Sequence, residues 1–139
     1  MSRRSVESGG PWEQRYGYSR AVRSGGLVAV SGCTSVVDGT VAHPDDAGAQ
    51  AEVALQTATS AVEALGGTLE DIIRTRMYVV HRGDFGAVGE AHARWFGQVR
   101  PAATMVLVAG LVDPAMRVEI EVDAVLPATG AAGDRERLS

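Results

Sequence analysis

The sequence predicts an α+β domain: a sheet with both of its helices on one face. Three observations carry this: alternating segments near both ends, helical stripes between them, and glycine-marked turns. "YGYSRAV" and "LVAVSG" flank Arg23-Ser24-Gly25-Gly26 and read as a hairpin, since glycine accepts the positive φ that a tight turn needs. "VVDGTV" carries Asp38-Gly39, the turn signal of a second, smaller hairpin. The period then changes. Ala51, Leu55, Ala58, Val62 and Leu65 form one apolar stripe at helical spacing. Asp45 or Asp46 can cap its start, and Gly66-Gly67 can end it.

"TLED" at 68–71 has capping-box form, so a short helical turn precedes the strand "IRTRMYVV" (73–80). Asp84 can cap a second helix with the stripe Phe85, Val88, His92 and Trp95 or Phe96, closed by Gly97. Val99 to Leu126 reads as two strands around a turn. The order is β-β-(β-β)-α-β-α-β-β. Right-handed crossovers place both helices on the same face of the sheet. The opposite face, partly apolar, then has nothing in the chain to cover it, which predicts a homo-oligomer with any pocket between subunits.

Composition sets outer limits. A chain of 139 residues is one domain of ordinary size, and 45% apolar with 22% charged residues is normal for a globular chain. Residues 1–10 and 128–139 are polar, small and aperiodic, and are expected to be flexible around a domain at 11–127. A net charge of −4 argues against nucleic-acid binding, and no basic stretch interleaved with aromatics suggests RNA contact. No apolar run is long enough for a membrane span, and "MSRRSVESGG" lacks a signal region, so a cytoplasmic protein is expected. One cysteine excludes an internal disulfide. All thirteen basic residues are arginine, which removes lysine Schiff-base chemistry and the P-loop lysine together. His43, His81 and His92 have no metal-ligand spacing, and no Walker, Rossmann or GxSxG motif occurs, so neither metal nor cofactor is expected.

"GYSRAVRSGGLVAVSG" (17–32), "DIIRTRMYVVHRGDFGAVGEAHARWFG" (71–97) and "RPAATMVLVAGLVDPAMRVEIEVDAV" (100–125) together resemble the RidA family, also called YjgF or L-PSP. The resemblance runs in order over about residues 11–126. It implies a chorismate-mutase-like fold and a homotrimer with a barrel core. It also implies small-molecule clefts between subunits and hydrolysis of reactive 2-imino acids to 2-keto acids and ammonia. The family's key arginine follows Pro-Ala and grips the substrate carboxylate. Here the pattern is Pro101-Ala102-Ala103, so Ala103 stands in its place and the chain looks like an arginine-less branch. The expectation is hydrolysis of imines or enamines to carbonyl compounds and ammonia, with weak or no activity on simple 2-imino acids. A non-catalytic module that holds a small metabolite in the cleft is the alternative.

The resemblance also suggests which residues form the site. Glu119, the first glutamate of "VEIEV", matches the residue that holds the attacking water, and Tyr18 matches the pocket tyrosine. Ser31-Gly32 matches a Ser-Gly whose backbone lines the cleft, and Met105 matches a pocket position or packs in the core. Period-two spacing puts Arg20 on the strand face of Tyr18, where it either replaces the missing cation or pairs with a carboxylate. Arg76 is a second replacement candidate, or part of an ion-paired face. Cys33 is expected to be a small buried residue rather than a nucleophile. Glu121 and Asp123 are expected to pair with arginines, Arg117 among them.

Overall fold

A computed structural model describes residues 2–127. Its elements are β1 (Arg3–Val6), α1 (Pro11–Tyr16), β2 (Ala21–Ser24), β3 (Leu27–Cys33), β4 (Val36–Val37), β5 (Thr40–Val41), α2 (Ala47–Ala64), β6 (Ile72–Val79), α3 (Phe85–Phe96), β7 (Ala102–Leu107) and β8 (Val118–Val125). Strands β1-β2-β3-β8-β6-β7 form one mixed sheet in that order, and β4 and β5 form the small hairpin. Every pair in the large sheet is antiparallel except β6 with β7. That pair is joined through α3, the crossover that parallel strands require. β7 and β8 are therefore successive in sequence but not neighbours, because β6 lies between them.

The helical stripe is as expected. Ala51, Leu55, Ala58 and Val62 are fully buried, and Leu65 nearly so. Asp46 accepts from the Ala49 amide at 2.9 Å and caps α2, which packs on α3, β8 and β3. The facing core is the even row of β8, namely Val118, Ile120, Val122 and Ala124, each 0% exposed. Met77 and Val79 of β6 and Val28 and Val30 of β3 complete it. On α3, Val88 and Phe96 are buried, while the half-buried His92 meets the Thr75 hydroxyl at 2.8 Å. Gln50, 0% exposed, ties the hairpin connection to the start of β8. Its amide donates to the His43 and Ala115 carbonyls and accepts from the Arg117 amide at 2.7 Å.

Several expectations need correcting. The N-terminal residues 1–10 were expected to be flexible, yet Arg3–Val6 pairs along β2, Arg3 opposite Ser24 and Val6 opposite Ala21. Its side chains are mostly exposed and no apolar period announces it; backbone pairing holds it, together with Val6 packed against the core. "YGYSRAV" is not one strand. Pro11 opens helix α1, and Gly17, at φ +80°, ends it, so the strand begins only at Ala21. Asp84 does not cap α3 with its side chain; its carboxylate takes Arg117 at 3.3 Å. Arg117 is thus not the partner of Glu121 or Asp123. The C-terminal tail at 128–139 lies outside the described residues.

Candidate functional site

Opposite the core, β8 presents Glu119, Glu121 and Asp123, all partly exposed. Beside it β6 presents Tyr78 opposite Glu119 and Arg76 opposite Glu121. The face continues over Ala29 of β3, opposite Asp123, and over Val22 of β2, opposite Ala29. Neither α2 nor α3 covers it, because both pack on the other side.

Where β3 passes Glu119 its pairing is irregular. Val30 pairs with Val122 and Cys33 with Ile120, so β3 carries one extra residue at Ser31-Gly32. Such a bulge re-aims the chain locally. Gly32 leaves room here for the Glu119 carboxylate: a Cβ on it would displace that side chain from its present position. Glu119 is half-buried, and its pKa is raised above 4.5. Burial is the main cause, repulsion from Glu121 adds to it, and the Arg20 charge opposes it.

Arg20 is held from three sides. Its Nη1 donates to the Ser31 carbonyl at 3.1 Å and the Gly32 carbonyl at 2.6 Å, and its Nη2 lies 3.7 Å from Glu13. Glu13, 5% exposed on α1, also accepts from the Ser8 amide and hydroxyl. Burial pushes the Glu13 pKa up, but the Ser8 hydrogen bonds and the Arg20 charge outweigh it, so the net shift is down. Arg20 therefore braces the bulge from behind. It does not share a strand face with Tyr18, since residues 18–20 precede β2. Cys33 is buried below the bulge, with its thiol pKa raised mainly by burial, as expected of a packing residue.

Tyr18 is 41% exposed and placed by the turn after α1, where its amide donates to the Glu13 carbonyl. With Ser31, Arg3, Val22, Arg76, Glu121 and Asp123 it lines a groove of about 400 Å³ on the open face. The Ser31 hydroxyl donates to the Ser19 carbonyl at 2.7 Å. Arg76 binds Asp123 at 2.9 Å and lies 3.8 Å from Glu121, which accepts from Tyr78 Oη at 2.7 Å. Arg76 thus joins an ion-paired face.

Two expected site residues stand apart. Ala103, exposed on edge strand β7, is opposite the buried Thr75 and so belongs to the helix side of the sheet. Met105 is half-buried on that side and packs against the core. Within one protomer neither meets Glu119. The roles of Tyr78 and Arg3 had no sequence signal, because each depends on partners far along the chain, and that of Glu13 depends on the short helix α1. The structure also assembles a basic aromatic cluster that the sequence did not suggest. Trp12 and Tyr16 stack at 5.4 Å, with the Arg15 guanidinium over both rings. Among the described residues no group of acidic, histidine or cysteine side chains is arranged to hold a metal ion, and no helix is long and apolar enough to cross a membrane.

Residues 12–126 match the family described as Endoribonuclease L-PSP. An uncharacterised protein of Streptomyces coelicolor is 40% identical over 87% of this chain and 90% of its own. A crystal structure from Mycobacterium tuberculosis, described as a member of the YjgF/YER057c/UK114 family, is 44% identical. It superposes with a TM-score of 0.82 over 90% of this chain and all of that one. TdcF of Escherichia coli, crystallised with bound serine, is 28% identical with a TM-score of 0.73, over 88% of this chain and 93% of its own. With its mixed sheet, bulged third strand and VEIEV segment, the chain belongs to the L-PSP family, known also as YjgF/UK114 or RidA.

Proposed function

We propose that the chain hydrolyses reactive imines or enamines to carbonyl compounds and ammonia, with Glu119 as the base that activates water. The observation that carries this is a half-buried carboxylate of raised pKa, fitted against a glycine at a strand bulge. A carboxylate whose pKa moves toward neutrality is a better general base while it stays largely ionised. The water oxygen bonds to the carbon of the N-protonated imine as Glu119 takes one water proton, giving a carbinolamine; an enamine first takes a proton on carbon to become that imine. Glu119 returns the proton to the nitrogen, the C–N bond breaks with its electron pair leaving on ammonia, and the hydroxyl proton passes to Glu119 as the carbonyl forms. Tyr18 and the Ser31-Gly32 backbone would orient the substrate.

Two features argue for a homotrimer with clefts between subunits. The open face exposes Leu27 and Val125, and edge strand β7 exposes Val106 and Leu107, an uncovered apolar edge that favours pairing with another chain. A partner's β7 would also bring position 103 to a cleft that a single protomer leaves without it. Sedimentation should find a trimer; a stable folded monomer would overturn this.

Activity on simple 2-imino acids should be weak, since Ala103 has no guanidinium and both Arg20 and Arg76 are held by protein groups. The test is ammonia release from a panel of imines generated in situ. Glu119→Gln should lower it at least about a hundredfold. Ala103→Arg should raise imino-acid hydrolysis about tenfold, the effect of one charge-assisted contact. A non-catalytic metabolite-binding module is the second reading, favoured by that missing guanidinium and by the serine held in TdcF; no turnover across the panel would select it. RNA is a poorer fit: the net charge is −4, and the Trp12–Arg15–Tyr16 cluster sits on a six-residue helix rather than along a basic track.

A further inference from the structure

Glu119 has four titratable neighbours among the described residues. Glu121 follows it along β8, Tyr78 stands opposite it on β6, and Arg20 and Cys33 lie at the bulge. Tyr78 and Cys33 stay neutral, since a hydrogen bond to Glu121 raises the pKa of the first and burial raises that of the second. Arg20 is therefore the cation whose charge acts on Glu119. Yet the acidic partner of Arg20 is Glu13, 3.7 Å from its Nη2, while its Nη1 is engaged by the Ser31 and Gly32 carbonyls. Glu13 is itself fixed by the Ser8 amide at 3.0 Å and by the Ser8 hydroxyl. A guanidinium paired directly with a carboxylate lowers its pKa by about 1–3 pH units, which would weaken Glu119 as a base.

We infer that Glu13 is a positioning residue for Glu119: it holds the Arg20 guanidinium back against the bulge carbonyls and so leaves the Glu119 carboxylate unpaired for proton transfer. The charges that reach Glu119 directly are those of Glu121 and Arg20, so Glu13 acts through Arg20. Helix α1 is what brings it there. Pro11 opens that helix and Gly17, at φ +80°, ends it, which lets the chain double back until Glu13 meets Arg20. The consequence for turnover rests on the imine-hydrolase reading; the restraint on Arg20 does not.

NMR of the Glu119 side-chain carboxyl carbon, assigned with Glu119→Gln, reads its titration without any substrate. Glu13→Gln keeps the shape of residue 13 but removes its charge, so the Glu119 midpoint should fall by about one pH unit. Arg20→Gln should raise the midpoint above the native value. The double variant should match Arg20→Gln, because Glu13 then has nothing to act through. Glu13→Asp draws the charge back from Arg20 and should lower the midpoint less; it is the substitute if Glu13→Gln does not fold. A pair that merely props the bulge predicts otherwise: each single variant would open Glu119 to water and bring its midpoint down toward 4.5. A fall in Arg20→Gln, or no change in Glu13→Gln, would therefore overturn the inference. Turnover is a separate reading, in which the acidic limb of ammonia release should follow the NMR midpoint from variant to variant. Midpoints that move as stated without turnover would sink the hydrolase reading alone. Turnover with an unmoved midpoint in Glu13→Gln would sink this inference alone.

Discussion

The two sides of β8 differ by one residue step and do opposite work. Val118, Ile120, Val122 and Ala124 are sealed under α2 and contribute through the water they exclude. Glu119, Glu121 and Asp123 face the uncovered side, where each has a different setting. Glu119 is pressed against a glycine, Glu121 accepts a tyrosine hydroxyl, and Asp123 holds an arginine. The covered side is uniform because packing asks only for shape. The uncovered side is varied because each charge needs its own partner.

Substitutions on the two sides should therefore separate widely. The largest loss is expected from Ile120→Ala, about 2–5 kcal/mol of unfolding free energy in urea, because it opens a cavity under α2. A loss below 1 kcal/mol would mean the core collapses around it. Next comes Gln50→Leu, which strands the His43 and Ala115 carbonyls and the Arg117 amide and should cost about 1–3 kcal/mol.

Glu119→Gln tests the uncovered side through pH. Because the folded pKa of Glu119 is raised, its protonated form stabilises the fold. That stabilisation is complete below the unfolded pKa and is lost as pH rises through the folded one. The native protein should lose stability over an interval beginning near pH 4.5, and Glu119→Gln should flatten that segment of the curve. An unchanged pH dependence would refute the burial argument. The smallest effect is expected from Arg76→Met: its ion pairs lie at the surface, so thermal unfolding should not shift resolvably, and any shift should vanish in salt.

Legibility in the sequence followed the same division. The α2 stripe could be read because five apolar residues recur at local spacing, and the Thr68–Asp71 capping box because both partners lie within one turn. β1 could not be read, since Arg-Arg-Ser-Val has no period and its partner strand is some twenty residues away. The behaviour of Arg20 was hidden for a related reason: the carboxylate that holds it belongs to a helix whose start is marked only by Pro11. Glu119 was visible through a resemblance, whereas its fit against Gly32 depends on a pairing irregularity that composition cannot express.

The bulge at Ser31-Gly32 also acts as a phase shift. Before it, the even positions Val28 and Val30 point inward; after it, the odd positions Cys33 and Ser35 do. The strand changes parity at the one point where a carboxylate has to be accommodated from the other side. Removing either residue would restore regular pairing with β8, with Cys33 still opposite Ile120, but would take away one of the two successive carbonyls that the Arg20 guanidinium holds. The bulge is thus written as a count, two residues on β3 against one on β8, and the surplus residue sets two carbonyls side by side for one guanidinium.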